Sequence, residues 1–157
     1  MFLLGGNNPC LSALEGERMY TIQMKVGRLV EAVMLSRVTR ADIDAAGQAI
    51  ADVARSIKGP CVVIGDYRAT RFLLEEDAAE LVQVLRRYND RIERSAIIVS
   101  AQSAVGVLQM ERMVRETRHP LRRAFRDVHE AAAWLGEVLT PGERSRLHSV
   151  LGISKAA

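Results

Sequence analysis

The sequence predicts a single-domain α/β fold: a mixed β-sheet that opens with an antiparallel hairpin, continues through parallel βαβ crossovers, and carries helices packed on it. Three observations predict it. Residues 20–26 alternate strictly and turn at Gly27-Arg28 into a second apolar run. Beyond Thr39, segments of helical period alternate with short continuous apolar runs. A length of 157 residues fits one core rather than two.

The elements come in order along the chain. Residues 1–19 hold Gly5-Gly6-Asn7-Asn8-Pro9, which is turn chemistry, and read as a flexible arm with at most a short helix near Leu11. Neither a basic leader nor a long apolar stretch marks them as a secretory signal. Tyr20, Ile22, Met24 and Val26 then share one face of a strand, and Gly27 supplies the positive φ of a tight turn. Residues 29–35 form the partner strand.

Thr39 caps a helix whose Ile43, Ala46, Ile50, Val53 and Ile57 recur at helical spacing, and Gly59-Pro60 ends it. Cys61-Val62-Val63-Ile64 is a strand covered on both faces. Glu75-Glu76-Asp77 opens a second helix, to about residue 88, with acids where the macrodipole favours them. Residues 95–99 form a further strand, 104–116 a third helix and 123–125 a short last strand. Asp127 and Glu130 resemble a capping box for a helix reaching Leu139. Pro141 begins a last helix ending near Leu147. The domain is expected over 20–151, with 152–157 as a frayed tail.

Composition limits the function classes. With 48% hydrophobic and 26% charged residues the chain can bury a core. No apolar run approaches the roughly 18–20 residues that span a bilayer. Cys10 and Cys61 cannot make a disulfide framework or a four-ligand zinc site, so the default location is cytoplasmic. A net charge of +3 steers anions weakly. Three of the 22 cationic residues are lysines (Lys25, Lys58 and Lys155) and the rest are arginines, a skew that codon composition also produces.

No phosphate-binding glycine loop, dinucleotide fingerprint or nucleophile elbow occurs, and His119, His129 and His148 have no metal-ligand spacing. No cofactor and no metal are therefore expected. Cys61 reads as inert core, with no histidine nearby. Trp134, the one tryptophan, flanks a buried helical stripe and reads as packing.

Two stretches are candidates for contact. Gly65-Asp66-Tyr67-Arg68-Ala69-Thr70-Arg71 comes after the strand at 61–64, and ligands of open α/β sheets bind beyond the carboxyl ends of strands. Asp66 either caps its own loop or acts on a ligand; Arg68 and Arg71 either hold an anion or are solvated. The second stretch gathers Arg112, Arg115, Arg118, Arg122, Arg123 and Arg126. It is a solvated salt-bridged face, a contact for a protein or acidic ligand, or a nucleic-acid surface. Only Phe125 interleaves it and aromatics are 4% overall, which argues against base stacking.

The hairpin, Val63-Ile64-Gly65-Asp66, the strand at 95–99 and the closing Ala124-Phe125-Arg126-Asp127, Glu130-Ala131 and Trp134-Leu135 resemble the SpoIIAA-like, STAS-related domains of bacteria. The resemblance covers about residues 20–139 and implies a non-enzymatic regulatory module that binds a partner protein through the loop after the third strand and the adjoining helix. STAS domains also bind nucleotides or lipids in some cases. Anti-sigma-factor antagonists among them are switched by phosphorylation of a serine at the start of the helix after the third strand. Here Thr70 is the only such hydroxyl between Asp66 and Glu75, with Arg68 and Arg71 beside it. Asp66, Arg68, Thr70, Arg71, Arg112, Arg115 and Arg122 are thus the candidate binding residues. The alternatives are a small-ligand or phosphate-binding module using Arg68 and Arg71, and an enzyme with a scattered site around Asp66. A homodimer through an edge strand or helix face is compatible with either module.

Overall fold

The computed structural model describes residues 20–35, 38–70 and 72–154. The expected N-terminal arm, Arg71 and the last three residues of the tail lie outside the described residues.

The strands are β1 (Tyr20–Gln23), β2 (Leu29–Met34), β3 (Cys61–Asp66), β4 (Ile92–Ile98) and β5 (Arg122–Phe125). The helices are α1 (Arg40–Ser56), α2 (Glu75–Arg87), α3 (Ala104–Glu116), α4 (Val128–Gly136) and α5 (Pro141–Leu151), with a single 3-10 turn at Asn89–Arg91. One sheet carries the strands in chain order, β1 antiparallel to β2 and the others parallel.

That order decides which helix covers which face. Parallel strands laid side by side in one direction, joined by right-handed crossovers, put every crossover helix on the same side. Ile43 of α1, Leu81 of α2 and Met110 and Met113 of α3 accordingly share one core with Met34 and Ile97. The other face is left to the helices after β5. There Ala131, Ala132 and Leu135 of α4 and Leu147 and Leu151 of α5 pack on Leu29, Val62, Ile64, Ala96 and Ile98. β3 and β4 are inner strands between two helical layers, as their continuous apolar runs predict.

β1 is shorter than its alternation predicts. The turn is present, with Leu29 N–H donating to the Val26 carbonyl and Gly27 at φ +53°. The last ladder pair is Gln23 with Glu31. Met24 and Lys25 therefore stand opposite Val30 alone, and the chain bulges out of the ladder.

α4 stops at Gly136 rather than Leu139. Arginines take the carbonyls there: Arg94 binds Trp134 O at 2.7 Å, Arg144 binds Leu139 O at 2.8 Å, and Arg28 binds Val138 O. α5 runs a turn past the expected Leu147, because Leu151 is buried one turn on and Gly152 closes the helix at φ +69°. β4 begins at Ile92 rather than Ser95. Glu93 and Arg94 interrupt the apolar run but are used outward, on Arg28 and on Glu137.

α5 is tied back to the hairpin. Glu143 accepts from the Thr140 N–H at 2.8 Å as a capping box and from the Arg28 N–H at 3.0 Å. Burial opposes ionisation of Glu143, but these hydrogen bonds outweigh it and hold the carboxyl below its ordinary range. Arg146 binds both oxygens of the buried Glu31, at 2.8 and 2.7 Å. Among the described residues no helix is long and apolar enough to cross a membrane.

Candidate functional site

β3 ends at Asp66, and residues 67–74 carry the chain from the carboxyl edge of the sheet to α2. Asp66 is saturated locally. Its Oδ1 accepts from Arg68 N at 3.1 Å and Nε at 3.0 Å, and its Oδ2 accepts from Nη2 at 2.8 Å. Burial raises the Asp66 pKa, but the Arg68 hydrogen bonds outweigh it and hold the carboxyl below its usual value. Arg68 is correspondingly engaged. Tyr67 turns its ring back over Gly65, where a Cβ would come within 2.8 Å of Cε2. Only glycine lets the ring lie on the strand.

Thr70 donates to the Met34 carbonyl at 3.3 Å and is partly buried, so its hydroxyl points at β2. The loop is then clasped by α3. Leu73 N–H donates to Gln109 Oε1 at 2.9 Å, and Gln109 Nε2 donates back to Leu73 O at 2.7 Å. Gln109 and Leu73 are buried, whereas Phe72 and Leu74 are 56% and 68% exposed. Fixing Leu73 inward turns its two neighbours outward.

The next turns of α3 continue this surface. Val105 and Leu108 are 62% and 65% exposed, and with Arg112 they lie at i, i+3 and i+7 on one helix face. Arg112 bonds both Glu75 oxygens, at 2.7 and 2.8 Å, just after Leu74. Loop and helix thus present an apolar patch of Phe72, Leu74, Val105 and Leu108 at the carboxyl edge, bordered by an ion pair. Sequence reading missed these four and Gln109. The legible signal was a polar residue, Gln109, on the buried stripe with Val107, Met110 and Met113.

The second stretch divides. Arg115 and Arg118 are exposed, and with Arg86 they border an open groove between α2 and α3. α3 ends at Glu116, so Arg118 leaves the helical face, at φ 57°. Arg122 is corrected from a surface contact to an interior residue, at 3% exposure. It pairs with Ser95 across β4 and β5, on the face covered by the crossover helices. Arg123 stands outward, and its guanidinium lies 4.9 Å from the Trp134 ring, with Arg94 at 5.0 Å and Phe125 at 5.5 Å. Cys61 is buried, which raises its thiol pKa against the pull of Arg91 and Arg28. Among the described residues no group of three or more histidine, cysteine or acidic side chains is placed to hold a metal ion.

Comparison with known proteins returns no matching family model and no matching curated protein. Among solved structures, an uncharacterised protein of the DUF3478 family from Shewanella loihica PV-4, described as having a SpoIIAA-like fold, superposes with a TM-score of 0.56. The fold is SpoIIAA-like. The match covers 74% of this chain and 93% of that one at 18% identity, so the likeness is one of architecture. On the SpoIIAA-like sheet, the apolar patch lies beyond the carboxyl ends of β3 and β4.

Proposed function

We propose that this chain is a non-enzymatic, STAS-like regulatory module that binds a partner protein through the loop after β3 and the adjoining helices. One observation carries the reading. Four large apolar side chains, one of them among the three phenylalanines of the whole chain, face outward together: Phe72 and Leu74 turned out by the buried Gln109–Leu73 clasp, Val105 and Leu108 by their place on the exposed face of α3. Aliphatic and aromatic side chains gathered on a rigid surface are the usual core of a protein–protein contact, and a rim of charge such as Glu75–Arg112 surrounds it. The saturation of Asp66 by Arg68 supports a loop-holding role for that carboxylate over proton transfer. The partner is a folded protein or segment with apolar anchors. The exposed arginines of the α2–α3 groove add a preference for acid beside them.

Site-specific photo-crosslinking in the native cell tests this. A crosslinker placed at Phe72 or at Leu108 is expected to capture the same partner. One at Lys58, exposed just before the amino end of β3, is expected to capture none. Adducts of equal yield at Lys58 and Phe72, or none at Phe72 and Leu108, would overturn the reading.

A further inference from the structure

Beneath α1 and α2, on the inner face of the sheet, lies a cavity of about 70 Å³. It exists because the sheet is thin there. Ala32 neighbours Gly65 across β2 and β3, and Val63 neighbours Ser95 across β3 and β4. Val63 sits mid-strand in the central strand yet is not fully buried. Ile50 and Val53 on the last turns of α1 roof the space without sealing it. At roughly 10–15 Å³ for each water-sized group, the cavity holds about five to seven such groups.

The walls are mostly apolar; Ser95, Tyr67 and Arg122 line one part, and Tyr88 and Arg91 another, where Arg91 Nη2 is already spent on the Ala54 and Ile57 carbonyls at 3.0 and 2.7 Å. Arg122 is a buried cation without a counter-ion: no carboxylate pairs with it among the described residues. Its partners are neutral, Asn89 Oδ1 at 2.9 Å from Nη1 and Leu85 O at 3.4 Å from Nη2. Among the described residues the Nε–H has no hydrogen-bond partner. A guanidinium has five N–H donors, so most of this one's donors are unused. Burial lowers its pKa to about 10, which leaves it charged at neutral pH. Tyr67 cannot serve as its anion, because burial pushes the phenol up to about 12. Unpaired buried charge is costly and is relieved by an anion that reaches it.

We propose that this cavity binds a short-chain monocarboxylate of about four to six carbons, its carboxylate on Arg122 and its chain in the apolar space. An apolar ligand alone would leave the cation unpaired, and a bare anion would leave the greasy walls unfilled. The site lies under α1 and α2, away from Phe72 and Leu108, so this proposal and the docking surface stand or fall separately.

Titration calorimetry on the full chain with straight-chain carboxylates from acetate to decanoate, and with hexan-1-ol, tests it. One site is expected, tightening from acetate to about hexanoate and weakening beyond. Hexan-1-ol should bind about tenfold or more weaker than hexanoate. Arg122→Met should erase that ratio, and since it removes an unpaired buried charge it should still fold. Val63→Phe should fill the space and abolish hexanoate binding, which keeps the test decisive if the arginine variant misfolds. Absence of saturable binding for every carboxylate, hexan-1-ol as tight as hexanoate, acetate as tight as hexanoate, or undiminished binding to Val63→Phe would each overturn the proposal.

Discussion

Gly27 satisfies two demands at one position. Its φ of +53° lies where L side chains are strained, and a Cβ there would run into the Glu143 carboxylate. Gly27→Ala should therefore cost about 2 kcal/mol or more, read as a lower urea midpoint with unchanged slope. Asp66 gives a pH signature. Its folded pKa lies below the unfolded value of about 3.9, so its contribution is complete above that value and is lost as pH falls through the folded one. The stability gap between wild type and Asp66→Asn should be full at pH 6 and shrink below about pH 4. Because Arg68 is exposed, screening holds that gap within about 1 kcal/mol. At this scale the sequence shows which residues border the loop, since turn residues and charges name themselves. It does not show pairing: that Arg68 is engaged by Asp66, or that Arg122 alone of its cluster turns inward, depends on strand register, and register is not written in charge spacing.

Among the elements, the loop from Tyr67 to Leu74 has its outward face set by one side chain of another helix. Gln109→Leu would leave the Leu73 N–H and carbonyl buried without partners. The expected cost is about 2 kcal/mol or more, together with raised amide exchange confined to residues 72–75 and loss of crosslinking from Phe72. Element identity was legible throughout, because period and capping residues are local properties of the chain. Element ends were legible only where the chain itself stops them. Thr39 caps with a full capping box, whereas Asp127 caps by accepting from the His129 and Glu130 N–H groups without the return bond from Glu130 that the spacing suggests. The early end of α4 goes with Arg94, a side chain from β4 that takes the Trp134 carbonyl, and with Arg28 and Arg144, which take the Val138 and Leu139 carbonyls just past the helix; the bulge that shortens β1 comes from a turn one residue out of step with the ladder.

For the whole molecule, strand order and crossover hand divide the labour. Three helices are committed to one face by topology, and among the described residues the last two close the other. Removing residues 140–157 strips Leu147 and Leu151 from the outer core, at about 2–5 kcal/mol each, and leaves Glu31 buried without Arg146. Since domains are stable by only about 5–15 kcal/mol, the truncated chain should lack a cooperative thermal transition and bind a hydrophobic dye.

The placement of α4 and α5 after the last strand has a consequence for folding. All five strands can pair before either of these helices docks, and until they do Leu29, Val62, Ile64, Ala96 and Ile98 stand bare to water and to other half-folded molecules.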